Sequence, residues 1–188
     1  RKQQLDLFRE RMKLILAQRN VSYTMIVAEQ EQGLIFNKAF LLNAGFLMSY
    51  HMCDYTIFHD IDMFPLSLEN TYEYPRNHPM HLIASSQYWV MDRDIAGGVV
   101  AFTNEQFLNC SGYSNGFWGW GYEDDDIFFR IKNAGYKLRR LPVDVGRYSN
   151  YNHERTFNPF TGVEQMQVSF AYSLLSRHKR VDYSKDGI

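Results

Sequence analysis

The fold is decided by the stretch YTIFHDID, which occupies residues 55–62. Its first four residues are β-branched or aromatic, and such a short apolar run predicts a buried strand. The strand runs directly into Asp60 and Asp62. In open α/β sheets, ligands bind beyond the carboxyl ends of the strands. We therefore expect both aspartates to lie where a ligand would bind.

The residues before this stretch predict a helix, a strand and a second helix. Residues 1–19 are amphipathic, with Leu5, Phe8, Met12 and Ile15 on one face. Residues 23–28 (YTMIVA) predict another buried strand, and Asn37 is suited to be the N-cap of a helix. Strand, helix and strand at this spacing form a βαβ unit. The predicted fold class is α/β, with a mostly parallel twisted sheet.

The two aspartates have two interpretations. Side chains alternate along an extended chain with a period of two, so Asp60 and Asp62 would face the same side. Two carboxylates on one side can bind Mg²⁺ or Mn²⁺ and present it to a phosphate. A turn with solvated aspartates explains the same pair equally well.

Glycines stand before another predicted strand. Gly97 and Gly98 lead into the apolar run 99–102, and Thr103 begins a capping box for a short helix. Adjacent glycines either let a ligand lie against bare backbone or form a tight turn. Residues 137–141 predict a further strand, and residues 163–178 a further helix.

The stretch WGWGYEDDD, residues 118–126, combines aromatic rings, glycines and four acidic residues in a row. Residues 126–134 read as a helix that Gly135 ends, so the acids fall in its first turn. The helix dipole favours one or two acids there, but it does not explain four. The stretch predicts the floor of a sugar site with a catalytic carboxylate.

Composition narrows the classes of function. The chain has 188 residues and a formal net charge of −1, which argues against nucleic-acid binding. No apolar run approaches the roughly 18 residues of a membrane span. The two cysteines, Cys53 and Cys110, lack the spacing of a metal site, and a disulfide between them stays open.

Four motifs, in this order, resemble the β-1,4-galactosyltransferase family. They are FNKA with LLNAGF at residues 36–46, HDID at 59–62, GGV at 97–99, and WGWG with EDDD at 118–126. Residues 72–75 and 79–81 look most like the branch that galactosylates xylose in the proteoglycan linker. The resemblance implies a nucleotide-sugar-binding, GT-A-like fold with helices on both faces of the sheet. It also implies one catalytic domain over residues 1–188, truncated at both ends relative to the family.

The resemblance assigns roles to individual residues. Asp124 would be the general base, with Glu123 and Asp125 beside it as catalytic residues that orient the acceptor, and Mn²⁺ would bind Asp62 and His153. The donor would be bound by Arg1, Phe36, Lys38, Asp60, Ile95, Gly98 and Trp120. The acceptor would be bound by Trp120, Gly121, Tyr122, Glu123 and Asp125. The third metal ligand stays open, because Asn150, Tyr151 and Asn152 stand where the family offers Met or His.

The implied activity is inverting transfer of galactose from UDP-galactose to a xylose-type or N-acetylglucosamine-type sugar, in β-1,4 linkage. Two alternatives accompany it. Ile95 stands where galactose-transferring relatives usually carry Tyr, which favours UDP-GalNAc as donor; a catalytically inactive sugar-nucleotide-binding protein is the other. The partners would be a UDP-sugar and a glycan or glycoprotein, in the Golgi lumen, with the membrane reached only through an anchor outside this chain.

Overall fold

A computed structural model describes residues 2–19, 21–86, 90–119, 121–150 and 183–188. The helices are α1 (Lys2–Ala17), α2 (Lys38–Ser49), α3 (Asn104–Asn109) and α4 (Glu123–Asn133), with a 3₁₀ turn at Tyr183–Lys185. The strands are β1 (Tyr55–His59), β2 (Met63–Pro65), β3 (Met80–His81), β4 (Ser85–Ser86), β5 (Val99–Thr103), β6 (Arg139–Arg140) and β7 (Arg147–Asn150). None of the helices in these ranges has the length and apolar character needed to cross a bilayer.

The strands form two small sheets. The first has the order β1-β5-β3-β6, and the second has the order β2-β7-β4. Strand β1 pairs with β5 in antiparallel register, from Tyr55 opposite Thr103 to His59 opposite Val99. Strand β2 pairs with β7, so Met63 lies opposite Asn150. Because β2 begins directly after Asp62, the two sheets meet at the predicted ligand-binding end of β1.

Strand β5 is the centre of the core, because its two faces enter different hydrophobic clusters. Val100 and Phe102 pack with residues of α2, α3 and α4. Val99 and Ala101 pack with Phe8 and Met12 of α1. This alternation is the period of an extended strand. It confirms the α/β class and the prediction of helices on both faces of the sheet.

Two expectations about strands were wrong. Residues 23–28 form no strand, and Tyr23 and Val27 are 44% and 39% exposed. The apolar pattern reports β propensity, but a strand also needs a partner, and none of the described residues pairs with this run. The βαβ unit is therefore absent from the described residues. The strand pairs there are three antiparallel and two parallel, so the sheets are mixed rather than mostly parallel.

The local signals at helix ends are confirmed. The side chain of Asn37 caps α2 by accepting from the Phe40 N–H, and Thr103 forms the predicted capping box at α3. Gly135 follows α4 with φ +83, the left-handed conformation expected of a C-terminal glycine. Cys53 and Cys110 are both free. The helix predicted at residues 163–178 lies outside the described residues.

Candidate active site

Lys38 brings together three carboxylates from distant parts of the chain. Its Nζ lies 3.2 Å from Asp60 Oδ1, 3.3 Å from Glu123 Oε1 and 3.3 Å from Asp124 Oδ1. Side-chain exposures are 22% for Lys38, 33% for Asp60 and 28% for Asp124, so the cluster is partly open to solvent. Asp60, the first residue of the Asp-x-Asp motif at residues 60–62, thus lies beside the same ammonium group as Glu123 and Asp124 of the acidic run.

Three elements position this cluster. Asp60 follows β1, and its N–H donates to the carbonyl of Gly98 at 2.8 Å. Lys38 is the first residue of α2, directly after the buried cap Asn37. Glu123 begins α4, and the residue before it, Tyr122, has φ +73. The close approach therefore depends on where one strand ends and two helices begin.

Gly97, the first glycine of the pair, makes room for the Asp124 side chain. A Cβ on Gly97 would stand 2.5 Å from Asp124 Cγ, closer than carbon atoms pack, and 3.1 Å from its Cβ, which is a tight contact. The backbone is also joined here, because the Ala96 N–H donates to the Asp124 carbonyl at 2.9 Å. His81 Nε2 lies 2.6 Å from the Gly97 carbonyl on the other side. Gly97 is consequently a packing requirement of Asp124, which residue type alone did not reveal.

The charges of the cluster perturb one another. Burial acts to lower the pKa of Lys38, but the attraction of Asp60, Asp124 and Glu123 outweighs it and holds this pKa well above its usual value. Burial raises the pKa of Asp60, with further raising by Asp124 and Asp62 against the opposing effect of Lys38. Burial also raises the pKa of Glu123, and Asp124 adds to this. Several perturbed groups in one accessible cluster are typical of a catalytic site.

The four acids of the run are not equivalent. Glu123 and Asp124 face Lys38, whereas Asp125 lies 4.0 Å from exposed Arg93. Burial raises the pKa of Asp125 and Arg93 lowers it in part. Asp126 is buried and accepts from Arg130 Nε at 2.6 Å, one helical turn on. The fourth acid is therefore part of the core, whereas Asp124 and Asp125 are partly exposed and Glu123 is 11% exposed.

The loop before α4 is held against α2 by amide side chains. Asn43 donates to the Tyr113 carbonyl at 2.8 Å and accepts from the Tyr113 N–H at 2.9 Å. Asn37 donates to the Asn115 carbonyl at 2.9 Å, and the Gly119 N–H donates to the Phe36 carbonyl at 2.7 Å. These bonds connect the predicted donor residue Phe36 to the backbone of the tryptophan-glycine stretch.

The predicted acceptor residues lead from this loop into α4. Gly121 has φ +99, and both it and Tyr122 are partly buried. Trp118 is 46% exposed, so an aromatic ring is available to a ligand here. Rings beside open backbone suit the stacking of a sugar.

The second aspartate, Asp62, lies in a turn that the Met63 N–H closes by donating to the Asp60 carbonyl at 3.1 Å. Across the β2–β7 pair is Asn150, whose Oδ1 is buried and has no hydrogen-bond partner among the described residues. Carboxylate and amide oxygens are hard ligands of the kind that Mn²⁺ and Mg²⁺ accept. The residues present fit a divalent ion, although the described residues contain no group of three His, Cys, Asp or Glu able to hold one.

Three of the predicted site residues cannot be placed. Arg1, Trp120 and His153 lie outside the described residues. Ile95 is partly buried, directly before Ala96, whose N–H reaches Asp124. Gly98 has φ +78, a conformation that favours glycine and explains the second glycine of the pair, and its carbonyl accepts from the Asp60 N–H.

Sequence reasoning missed Tyr113, which is 2% exposed. Burial raises its pKa well above the usual value, and the nearby charge of Asp124 adds to this. No local signal marks it, because its place at the cluster follows from the way the loop folds over α2.

Comparisons with known proteins agree with this geometry. Residues 1–75 match a family profile described as the N-terminal region of glycosyl transferase group 7, and residues 77–154 match one described as the N-terminal domain of galactosyltransferase. Human beta-1,4-galactosyltransferase 7 is 33% identical over 152 residues, covering 80% of this chain and 46% of that protein. Human beta-1,4-galactosyltransferase 4 is 35% identical over 164 residues, covering 85% of this chain and 47% of that protein.

Comparison with solved structures also identifies galactosyltransferases as similar proteins. The chain is similar to a crystal structure of a mutant Drosophila beta-1,4-galactosyltransferase 7 in complex with manganese, UDP-Gal and xylobiose. The TM-score is 0.78 at 28% identity, covering 89% of this chain and 74% of that one. A second structure, of the Drosophila catalytic domain with xylobiose, has the same TM-score at 29% identity. The chain spans about half the length of the curated relatives it matches. This chain belongs to the β-1,4-galactosyltransferase family.

Proposed function

We propose that the chain is the catalytic domain of an inverting transferase that moves galactose from UDP-galactose to a sugar hydroxyl in β-1,4 linkage. The observation that carries the proposal is the cluster of Asp60, Glu123 and Asp124 around Lys38. It brings the predicted donor end of β1 against the predicted acceptor end of α4. The family, and the UDP-Gal and xylobiose bound in the similar structure, support both substrates.

Asp124 is the proposed general base. The acceptor hydroxyl is a poor nucleophile, so a carboxylate within hydrogen-bond reach must take its proton as the new bond forms. Asp124 is 28% exposed, so an acceptor can reach it, and its Oδ1 lies 3.3 Å from Lys38 Nζ. Glu123 and Asp125, on either side, are proposed to orient the acceptor sugar. Attack from the face opposite the UDP inverts the anomeric carbon.

Asp62 and His153 are the proposed ligands of Mn²⁺, with His153 included on sequence grounds alone. When bound, the ion would neutralise the charge that develops on the departing diphosphate. The buried Oδ1 of Asn150, opposite Met63, supports an amide oxygen as a further ligand. Asn150 is one of the three residues, 150–152, that stand where the family offers Met or His, and an amide ligand from this segment would make the ligand set harder.

A second candidate donor is UDP-GalNAc. Ile95 directly precedes Ala96, whose N–H donates to the Asp124 carbonyl. The side chain of Ile95 is smaller than the Tyr that galactose-transferring relatives usually carry at this position. Room beside the base would accommodate an N-acetyl group. Comparing turnover of the two donors decides between them, and a clear preference for UDP-galactose would reject the alternative.

A transfer assay tests the proposal directly. The chain is incubated with UDP-galactose or UDP-GalNAc, Mn²⁺, and a simple xyloside or N-acetylglucosaminide. Formation of a β-1,4-linked disaccharide with release of UDP is the expected result. Binding of UDP-sugar without any product, with all donor and acceptor pairs, would instead support the catalytically inactive alternative. We further propose a glycan or glycoprotein acceptor and a place in the Golgi lumen, both from the family.

A further inference from the structure

Buried polar side chains form a continuous hydrogen-bonded series that begins at Asn70, passes through Tyr148 of β7 and ends at the turn after β1. Asn70 Nδ2 lies 2.9 Å from the Tyr148 hydroxyl, which lies 3.0 Å from the Tyr72 hydroxyl. Tyr72 lies 2.9 Å from His59 Nε2, and His59 Nδ1 lies 2.9 Å from the Asp60 carbonyl. Tyr72 is 3% exposed, and Asn70 and Tyr148 are fully buried. We call these four side chains the hydroxyl relay.

The direction of every bond in the hydroxyl relay follows from its two ends. A carbonyl can only accept, so His59 Nδ1 carries the proton and donates to Asp60. The Tyr148 hydroxyl donates to the Tyr72 hydroxyl, so Tyr72 keeps its own proton for the bond to His59 Nε2, and Nε2 accepts it. The Tyr72 hydroxyl therefore donates to His59 and accepts from Tyr148, which in turn accepts from the amide of Asn70. The relay selects one tautomer of the imidazole.

The hydroxyl relay ends on the carbonyl that closes the Asp-x-Asp turn. The Asp60 carbonyl accepts both from His59 Nδ1 at 2.9 Å and from the Met63 N–H at 3.1 Å. Asp62 is a central residue of this four-residue turn. A change in the imidazole would alter the orientation of the Asp60 peptide, and with it the direction of the Asp62 carboxylate.

Tyr72 is itself held in an unusual conformation. Its φ is +56, in the left-handed region that bulky residues rarely adopt. The Tyr55 hydroxyl donates to its carbonyl at 2.7 Å, and its ring stacks on His59 with the ring planes 5° apart. Such backbone geometry persists only where the surrounding contacts fix it, and it is concentrated at functional sites.

We propose that Tyr72 is a positioning residue for the Asp60–Asp62 turn, acting through the tautomer of His59. The inference rests on the proposed function for the part in which Asp62 binds Mn²⁺. Groups that orient a metal ligand without touching the metal typically change its affinity about 10-fold to 100-fold when they are removed. Tyr72→Phe deletes the hydroxyl that His59 Nε2 accepts from, and it keeps the ring.

The test uses the whole chain and three measurements on each variant. Free Mn²⁺ is titrated by electron paramagnetic resonance, exchange of the Met63 amide is followed by NMR, and the imidazole nitrogens of His59 report the tautomer. We expect Tyr72→Phe to weaken Mn²⁺ binding about 10-fold, to speed Met63 exchange and to alter the His59 nitrogen shifts. The matched control is Tyr136→Phe, which removes a hydroxyl bonded to Asn109 at 2.8 Å, outside the relay.

Tyr148→Phe provides a second variant within the hydroxyl relay. It leaves Tyr72 able to donate to His59, so its effect on Mn²⁺ affinity should be the smaller one. The double variant should bind Mn²⁺ no more weakly than Tyr72→Phe alone, because the two hydroxyls act in series. Additive losses would contradict the relay and support general destabilisation.

The outcomes separate the inference from the function on which it rests. Unchanged Mn²⁺ affinity and Met63 exchange in Tyr72→Phe, or a proton on His59 Nε2 in the wild type, would overturn the inference. A wild-type chain that does not bind Mn²⁺ would contradict the metal role of Asp62. In that case the exchange and tautomer measurements, which need no metal, still decide whether Tyr72 positions the turn.

Discussion

At the scale of single residues, Lys38 and Gly97 control the proposed base in different ways. Lys38 supplies the charge, with Nζ 3.3 Å from Asp124 Oδ1. Gly97 supplies the space, since any Cβ there would collide with the Asp124 side chain. Both act on a carboxylate whose orientation determines whether a hydroxyl can reach it.

Gly97→Ala should therefore impair chemistry more than binding. The new methyl group would force Asp124 away, and a misplacement of about 1 Å can cost about 100-fold in rate. We expect turnover of UDP-galactose to fall about 100-fold, with donor affinity changed by less than about threefold. Gly45→Ala is the matched control, because nothing lies within 4 Å of a Cβ at this position in α2. Equal losses of turnover in the two variants would refute the steric role.

Glu123 should reduce stability at neutral pH. Its pKa is raised above the ordinary value of 4.5, so the folded chain binds this proton more tightly than the unfolded chain does. Stability then falls as pH rises from about 4.5 through the raised folded pKa. Glu123→Gln removes this loss, because the amide side chain has no proton to release over this range. We expect a higher Tm than wild type at pH 7 and no gain at pH 4; a lower Tm at pH 7 would contradict this.

At the scale of elements, the site depends on how helices begin. Asn37 caps α2 and also donates to the Asn115 carbonyl, whereas Thr103 caps α3 away from Lys38. Asn37→Ala and Thr103→Ala should each cost about 1–2 kcal/mol in the free energy of unfolding. Only Asn37→Ala should also reduce transfer, by about 10-fold, because α2 carries Lys38 into the cluster. Equal transfer rates in the two variants would show that the Asn37 cap does not control the position of Lys38 in the cluster.

Whole-molecule packing connects the end of the chain to the acidic helix. Asp186 accepts from Arg130 at 2.9 Å and from the Asn115 N–H at 2.9 Å. Arg130 is 1% exposed and also pairs with buried Asp126. Asp186 thus binds both α4, through Arg130, and the loop that precedes α4, through Asn115.

Asp186→Ala should lower the free energy of unfolding by about 1–2 kcal/mol, since its side chain is 38% exposed and partly screened. For a chain of this length, the Tm should fall by about 3–6 °C. Asp6→Ala, which breaks the exposed pair with Arg9 at 4.0 Å, is the control and should change stability by less than about 0.5 kcal/mol. Matching Tm values for the two variants would mean that the tail contributes nothing to stability.

What the sequence predicts differs between these scales. The caps at Asn37 and Thr103, the strand at β1 and the first turn of α4 follow from local chemistry, and the structure has all of them. The contact between Lys38 and Asp124, 86 positions apart, depends on packing and was not predicted. The family motifs only assigned Lys38 to donor binding and Asp124 to the base. Strand direction and the unpaired run 23–28 depend on which partner is available, which β propensity does not encode.

The measurement that most directly tests the account is transfer by Asp124→Asn, compared with wild type, using UDP-galactose, Mn²⁺ and a xyloside. Asparagine keeps the shape of the side chain but cannot take the proton of the acceptor hydroxyl. We predict that transfer falls by about 100-fold or more, with the affinity for UDP-galactose and Mn²⁺ retained. Turnover that equals wild type would contradict the assignment of Asp124 as the base, and with it the central role given to the cluster around Lys38.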